Sequence, residues 1–374
     1  MSSTDVFALS IHADYRCRHS GACCSADWDV PVELPVYRTL KQAVDAGRLQ
    51  PQASARHLPP FIVEPDLPED AAAMLERTEI GECVFLDHGT KLCIVHRDLG
   101  EPALPATCRY FPRLAVRDDR GTFITLSHFC PTAASMLFRH DCPLTITSGP
   151  HAFPPGEYEG LVVTRDDLPP LLTQTMLMDG PGYSAWERHM VMRCADGDRG
   201  PDSVVATLER DARQLGTWKP GHMTLVEAVR DLPAHQAQVA APQSLDHALA
   251  LYEQVMQAVP DDLQPPPDGH GLDVAFAEFV RPMWPRFFVP LNRYVAAKAF
   301  ASWTAYQGRG VASIVRGLEA ALAVVRVESS RQCRNAKRGL DADLLRDAFR
   351  CADFILNHLA VGEDLASAWS AVES

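Results

Sequence analysis

Beyond about residue 170, apolar residues recur with a period near 3.6. Val204, Val205, Leu208, Ala212 and Leu215 share one helical face, and Val311, Ile314, Leu318, Leu322 and Val325 share another. Leu344, Leu345, Ala348, Cys351, Ile355 and Leu359 make a third stripe. The proline- and glycine-rich run from Pro260 to Gly271 interrupts this pattern as a surface loop. The first 145 residues read differently, with short apolar pieces between turn formers. Asp87-His-Gly-Thr90 lies between the two apolar arms of the segment Cys83 to Cys93, which predicts a hairpin or knuckle presenting a cysteine on each arm. Ala71 to Glu76 reads as a short helix, Thr122 to Leu126 as a strand, and Pro131 as the start of a helix running to Phe138. Prolines from Pro143 to Pro155, and again at Pro169-Pro170, mark the change of character. The expected fold is therefore mainly α. Residues 1–145 form an irregular cysteine-rich metal-binding region with short β-hairpins, and residues 146–374 an α-helical domain. The chain carries no internal repeat.

Composition narrows the class. A chain of 374 residues exceeds the size at which one core stops growing, and 47% hydrophobic with 22% charged residues is a globular balance. A formal charge of −13 argues against nucleic acid as a partner, because such binding draws on Lys and Arg neutralising phosphates. The opening Met1-Ser-Ser-Thr-Asp-Val-Phe lacks the basic start and apolar run of a secretory signal, and no stretch is long and apolar enough for a membrane span. The expectation is a cytoplasmic protein whose thiols stay reduced.

That setting gives the cysteines their meaning. Seven of eleven, Cys17, Cys23, Cys24, Cys83, Cys93, Cys108 and Cys130, fall in the first 130 residues. A single cysteine is more often a small buried hydrophobe, the reading that suits Cys142, Cys194, Cys333 and Cys351. Seven close together in a reducing compartment read as metal ligands. Gly21 lets the loop from Tyr15 to Cys24 fold tightly so that thiolates converge. In an extended backbone Cys23 and Cys24 would point to opposite faces, so one of them would ligate while the other packs or meets a second ion. Thiolates select zinc or iron-sulfur centres over hard cations. Cys93-Ile-Val-His96 has usable zinc spacing, with His96 read more readily as a supporting polar residue, while the surplus of cysteines favours a 4Fe-4S cluster.

At these residues the chain resembles the bacterial flagellin lysine N-methylases and their wider relatives, a cysteine-cluster family described as zinc- or iron-chelating. The likeness runs through Cys17 to Cys24, Asp27-Trp-Asp-Val-Pro-Val32 and Tyr37, then Gly81-Glu-Cys-Val-Phe-Leu86, Leu92-Cys-Ile94, and Leu99-Gly-Glu101 with Leu104. It ends on Thr107-Cys-Arg-Tyr-Phe-Pro-Arg113 and Cys130-Pro-Thr-Ala-Ala134, so that residues 13–138 are covered. A fainter likeness lies in Pro290-Leu-Asn-Arg-Tyr294 and Asn357-His358. The resemblance implies an iron-sulfur cluster and S-adenosylmethionine-dependent methylation of lysines on a flagellin-like protein substrate. Ser20 departs from the pattern, standing where many relatives carry a further cysteine.

Methyl transfer to lysine needs the ammonium, with an ordinary pKa of ~10.4, deprotonated or desolvated beside the sulfonium methyl. Aromatics at Trp284, Phe287, Phe288, Tyr294, Trp303 and Tyr306 could cage a cationic lysine, although helical spacing favours their serving as core. Gly308-Arg-Gly310 has no strand before it and reads as a helix-to-helix turn rather than a nucleotide loop. The three-cysteine loop of radical S-adenosylmethionine enzymes is also missing. Three readings follow: a lysine methylase, a non-catalytic zinc- or iron-binding protein, and a scaffold whose metal staples loops. Catalytic and S-adenosylmethionine-binding residues are not specified by the sequence.

Overall fold

The computed structural model describes residues 5–26, 28–55, 59–63, 67–68, 70–153, 158, 169–233, 244–264, 270–306 and 310–370. It is mainly α, with small sheets. Two compact units emerge. One comprises residues 1–15, 114–129 and 133–374; the other comprises residues 16–113 with 130–132. This division falls elsewhere than at residue 145, and strand pairing is the reason. Val6–Leu9 pairs in parallel with Gly121–Leu126 and antiparallel with Ile146–Ser148, and with Arg113–Asp118 these make a four-stranded sheet. The flanks of the cysteine-rich segment thus belong to the helical unit.

In the helical unit the three apolar stripes lie in helices Pro201–Leu215, Val311–Ala336 and Ala342–Phe354, the last running on as a π-turn over Ile355–Leu359. Val204, Leu208, Leu318, Val325, Leu345 and Ala348 are all buried, each large apolar side chain contributing about 1.5–3 kcal/mol by leaving water. Arg326, in the middle of the longest helix, is buried too. It is held by Asp202 at 2.7 Å and stacked on Trp284, so that indole is core. Pro260 to Gly271 includes a short 3-10 turn at Asp261–Leu263, while residues 265–269, like Asp27, Gly308 and Arg309, lie outside the described residues.

The cysteine-rich unit has a three-stranded sheet in the order Pro31–Glu33, Ala71–Leu75, Phe61–Ile62, beside the helix Leu34–Asp45. The segment from Ala71, expected as a helix, is thus a strand. Its alanines favour helix locally, but both backbone edges are satisfied by flanking strands and alternate residues Ala73 and Leu75 are buried. The expected strand at 122–126 and the helix opening at Pro131 are present, the helix ending at Met136.

Candidate metal centre

Backbone bonds draw the cysteine loops together. Gly21 adopts φ +73°, and a Cβ there would stand 3.0 Å from the Lys91 carbonyl oxygen, so the turn and the close approach of the second loop both require glycine. Cys24 N–H donates to the Gly21 carbonyl, and Cys83 N–H donates to the Cys24 carbonyl at 2.7 Å. The segment Cys83 to Cys93 forms the expected knuckle. Leu86 and Cys93 form an antiparallel bridge, Asp87 N–H donates to Leu92 O, and the Asp87 carboxylate accepts from the Thr90 N–H and hydroxyl. Cys93 then precedes the short helix Ile94–Leu99, and Cys108 lies in the helical turn Ala106–Tyr110.

Five thiols, Cys23, Cys24, Cys83, Cys93 and Cys108, come near enough to influence one another's titration. The Cys23 and Cys24 sulfurs are 3.9 Å apart, on the same side of a turn rather than on opposite faces of an extended chain. Cys24 shares hydrogen bonds with Cys23 and Cys93, which push its own thiol up and bring the other two down. Cys93 is brought to about 7 by that bond first, with the His96 and Val95 N–H groups assisting against burial. Burial pushes Cys83 up to about 11. Burial also raises Cys108, and the neighbouring Cys83, Cys23 and Cys93 add to the effect. Cys17 and Cys130 fall in the same unit. Cys17 is exposed, its sulfur 3.4 Å from His19 N, and Cys130 is buried just before the helix at Pro131. The His96 ring packs against His19 at 5.2 Å between centroids. The eleven cysteines are unbridged. Among the described residues, no group of three or more His, Cys, Asp or Glu side chains is arranged to hold a metal ion. The donor chemistry fits a thiophilic metal, but beyond the Cys23–Cys24 contact the sulfurs do not surround one point.

Sequence reasoning missed a second constellation, in the helical unit. Asp353, with no exposed surface, accepts from the His128 N–H at 2.5 Å, His128 Nδ1 at 3.0 Å, the Tyr294 hydroxyl at 2.7 Å and the Lys298 ammonium at 2.5 Å. With Nδ1 of His128 donating, its Nε2 must accept from His12 Nε2, 3.4 Å away, which leaves buried His12 Nδ1 without a partner. Burial works to raise Asp353, but Lys298 and His128 together hold it far below the usual carboxylate range. Burial lowers both histidines, so each is neutral. Ser127 and His358 Nε2 meet at 3.0 Å nearby. The only signal in the sequence was His128 beside Cys130 and the motif Asn357-His358; the partners are 225 residues apart in the chain.

Comparison with known proteins finds no matching family model, no matching curated protein and no matching solved structure. No described helix is long and apolar enough to cross a membrane.

Proposed function

We propose that the cysteine-rich unit is a metal centre whose thiolates hold an iron-sulfur cluster of the 4Fe-4S type. The gathering of Cys23, Cys24, Cys83, Cys93 and Cys108 from separate stretches of sequence into one group of mutually interacting thiols carries the reading. A cluster of this type takes four thiolates, and Cys17 and Cys130 stand as further candidates. A bound cluster would supply a staple for the loops or an electron store. Zinc is the alternative occupant, with Cys93-x-x-His96 as part of its set. Anaerobic purification followed by elemental analysis and a visible spectrum tests this. Iron and sulfide in equal amounts with broad visible absorption support the cluster; roughly one zinc per chain and no such absorption supports zinc. A chain that binds neither ends the proposal.

The likeness to flagellin lysine N-methylases extends the proposal to an activity, the transfer of methyl groups from S-adenosylmethionine to lysines of a protein substrate in the cytoplasm. For that reaction the enzyme must strip a proton from the lysine ammonium and exclude water from the amine. A non-catalytic zinc- or iron-chelating role is the competing reading, since the thiol gathering is sufficient for it. Incubating the anaerobically prepared protein with methyl-labelled S-adenosylmethionine and flagellin separates them: label on lysine supports transfer, and an intact metal centre without label supports chelation.

A further inference from the structure

A cleft of about 460 Å³ opens within the helical unit. Trp303 and Trp369 line it, their ring centroids 6.3 Å apart, and both rings are seated on glycines. A Cβ on Gly317 would come within 3.1 Å of the Trp369 ring, and one on Gly362 within 3.4 Å of Trp303. Phe300, Leu318 and Leu356 add further apolar lining. The lining also carries the hydroxyl residues Thr125, Ser302 and Thr304 and the exposed Glu363, and two nitrogen donors face the space beside the apolar walls. The Lys298 ammonium, on a side chain only 15% exposed, contacts Asp353 at 2.5 Å and the Asn357 Oδ1 at 3.4 Å; an ammonium has a third N–H. Asn357 gives its carbonyl oxygen to that lysine, and its Nδ2 is buried with no hydrogen-bond partner. Asn357 sits in the π-turn Ile355–Leu359, a local distortion of the kind that re-aims side chains at functional sites.

Asp353 cannot serve these donors further, because it already accepts four hydrogen bonds. Burying unpaired donors is costly, and an acceptor delivered by a ligand removes the cost. Two N–H groups side by side, one of them cationic, match the two oxygens of a carboxylate, and aromatic walls match a flat apolar body. At this end of the cleft the Lys298 ammonium repels a cation, and the one acidic residue of the lining, Glu363, is exposed. We propose that this cleft is a binding site for a small aryl carboxylate, its carboxylate on Lys298 and Asn357 and its ring system against Trp303 and Trp369.

Calorimetric titration of the full-length protein with 2-naphthoate and with its neutral amide, 2-naphthamide, tests the site. The acid should bind about tenfold or more tighter than the amide, the loss expected when a charge-assisted pair becomes a neutral one. Lys298→Met should remove that preference, and Ala360→Trp, which puts an indole on a residue lining the cleft, should abolish binding of both. The second variant keeps the test open if Lys298→Met fails to fold, since Lys298 also pairs with Asp353. No binding of either probe, equal binding of acid and amide, or undiminished binding by Ala360→Trp overturns the proposal.

Discussion

Asp353 concentrates more polar interaction than any surface pair in the helical unit could, because it is wholly buried and its partners are fixed by helix packing. Removing one partner of a buried ion pair leaves the other uncompensated, typically at 3–5 kcal/mol. Asp353→Asn should therefore lower stability by about 3 kcal/mol or more in denaturant titration, and a loss below ~1 kcal/mol would mean the pair contributes no more than an exposed one. The same network makes the unit sensitive to acid. His12, His128 and His358 are all lowered by burial, His358 to about 4. Their neutral forms are the folded forms, so the unfolded chain takes up protons from about pH 6.5 downward while the folded chain resists, at His358 until about pH 4. Stability is full above that window and falls through it. Asp353, held below the carboxylate range, adds a further loss below about pH 4. Thermal melts should drop steadily between pH 7 and pH 4.5, and His358→Gln should flatten part of the slope; an unchanged profile in that variant would count against His358. Among the thiols, Cys83→Ser and Cys108→Ser should each lose metal and lower the melting temperature, since a ligand's binding energy is also folding energy. Full metal and stability in both would remove these two from the ligand set. The cysteines were legible in the sequence because clustering of one reactive residue type is visible without a fold. The histidine and aspartate network was not, because each member alone has an ordinary buried or surface explanation.

Elements differed in how plainly they could be read. The stripes in Pro201–Leu215, Val311–Ala336 and Ala342–Phe354 were clear, each spanning several turns, so the period rose above local noise. Ala71–Leu75 was misread because five residues are too few for a period to decide, and its strand state is imposed by neighbours at 31–33 and 61–62. The start of the longest helix depends on Gly310, at φ +64°, where a Cβ would lie 2.2 Å from the Leu171 carbonyl oxygen. Gly271 also has positive φ, but nothing stands within 4 Å of its missing Cβ. Gly310→Ala should cost well over ~2 kcal/mol, by strain and overlap with backbone, against about 1 kcal/mol for Gly271→Ala, where only the left-handed conformation is penalised. Equal costs in chemical denaturation would show that Leu171 moves aside freely. A smaller effect belongs to the helix Leu225–Arg230, opened by a capping box of Thr224 and Glu227. Thr224→Ala should destabilise by about 1 kcal/mol.

At the scale of the whole molecule the two units have unequal resources. The helical unit has an extensive core, whereas the cysteine-rich unit relies on a modest one around Val32, Leu40, Leu49, Val84, Phe85 and Leu86. Small cores are commonly supplemented by a metal. If the proposed metal centre supplements this core, a thiol-competing chelator should leave most of the helical circular dichroism in place while opening residues 16–113 to protease. Loss of both together, or of neither, would contradict that division. Neither the unit boundaries nor the sheet that sets them followed from hydropathy, because Val6–Leu9 is short and its partners lie more than a hundred residues away.

Val6–Leu9 is an interior strand of its sheet, flanked by 121–126 on one side and 146–148 on the other. During synthesis it emerges long before either neighbour has been made, and everything from Arg16 to Arg113 is translated in between. The core of the cysteine-rich unit, from Cys24 to Leu104, is thus translated in full while the strand that precedes it still lacks both neighbours. Packing of that core can precede closure of the sheet, so the order of synthesis lets the inner unit fold before the outer one is sealed.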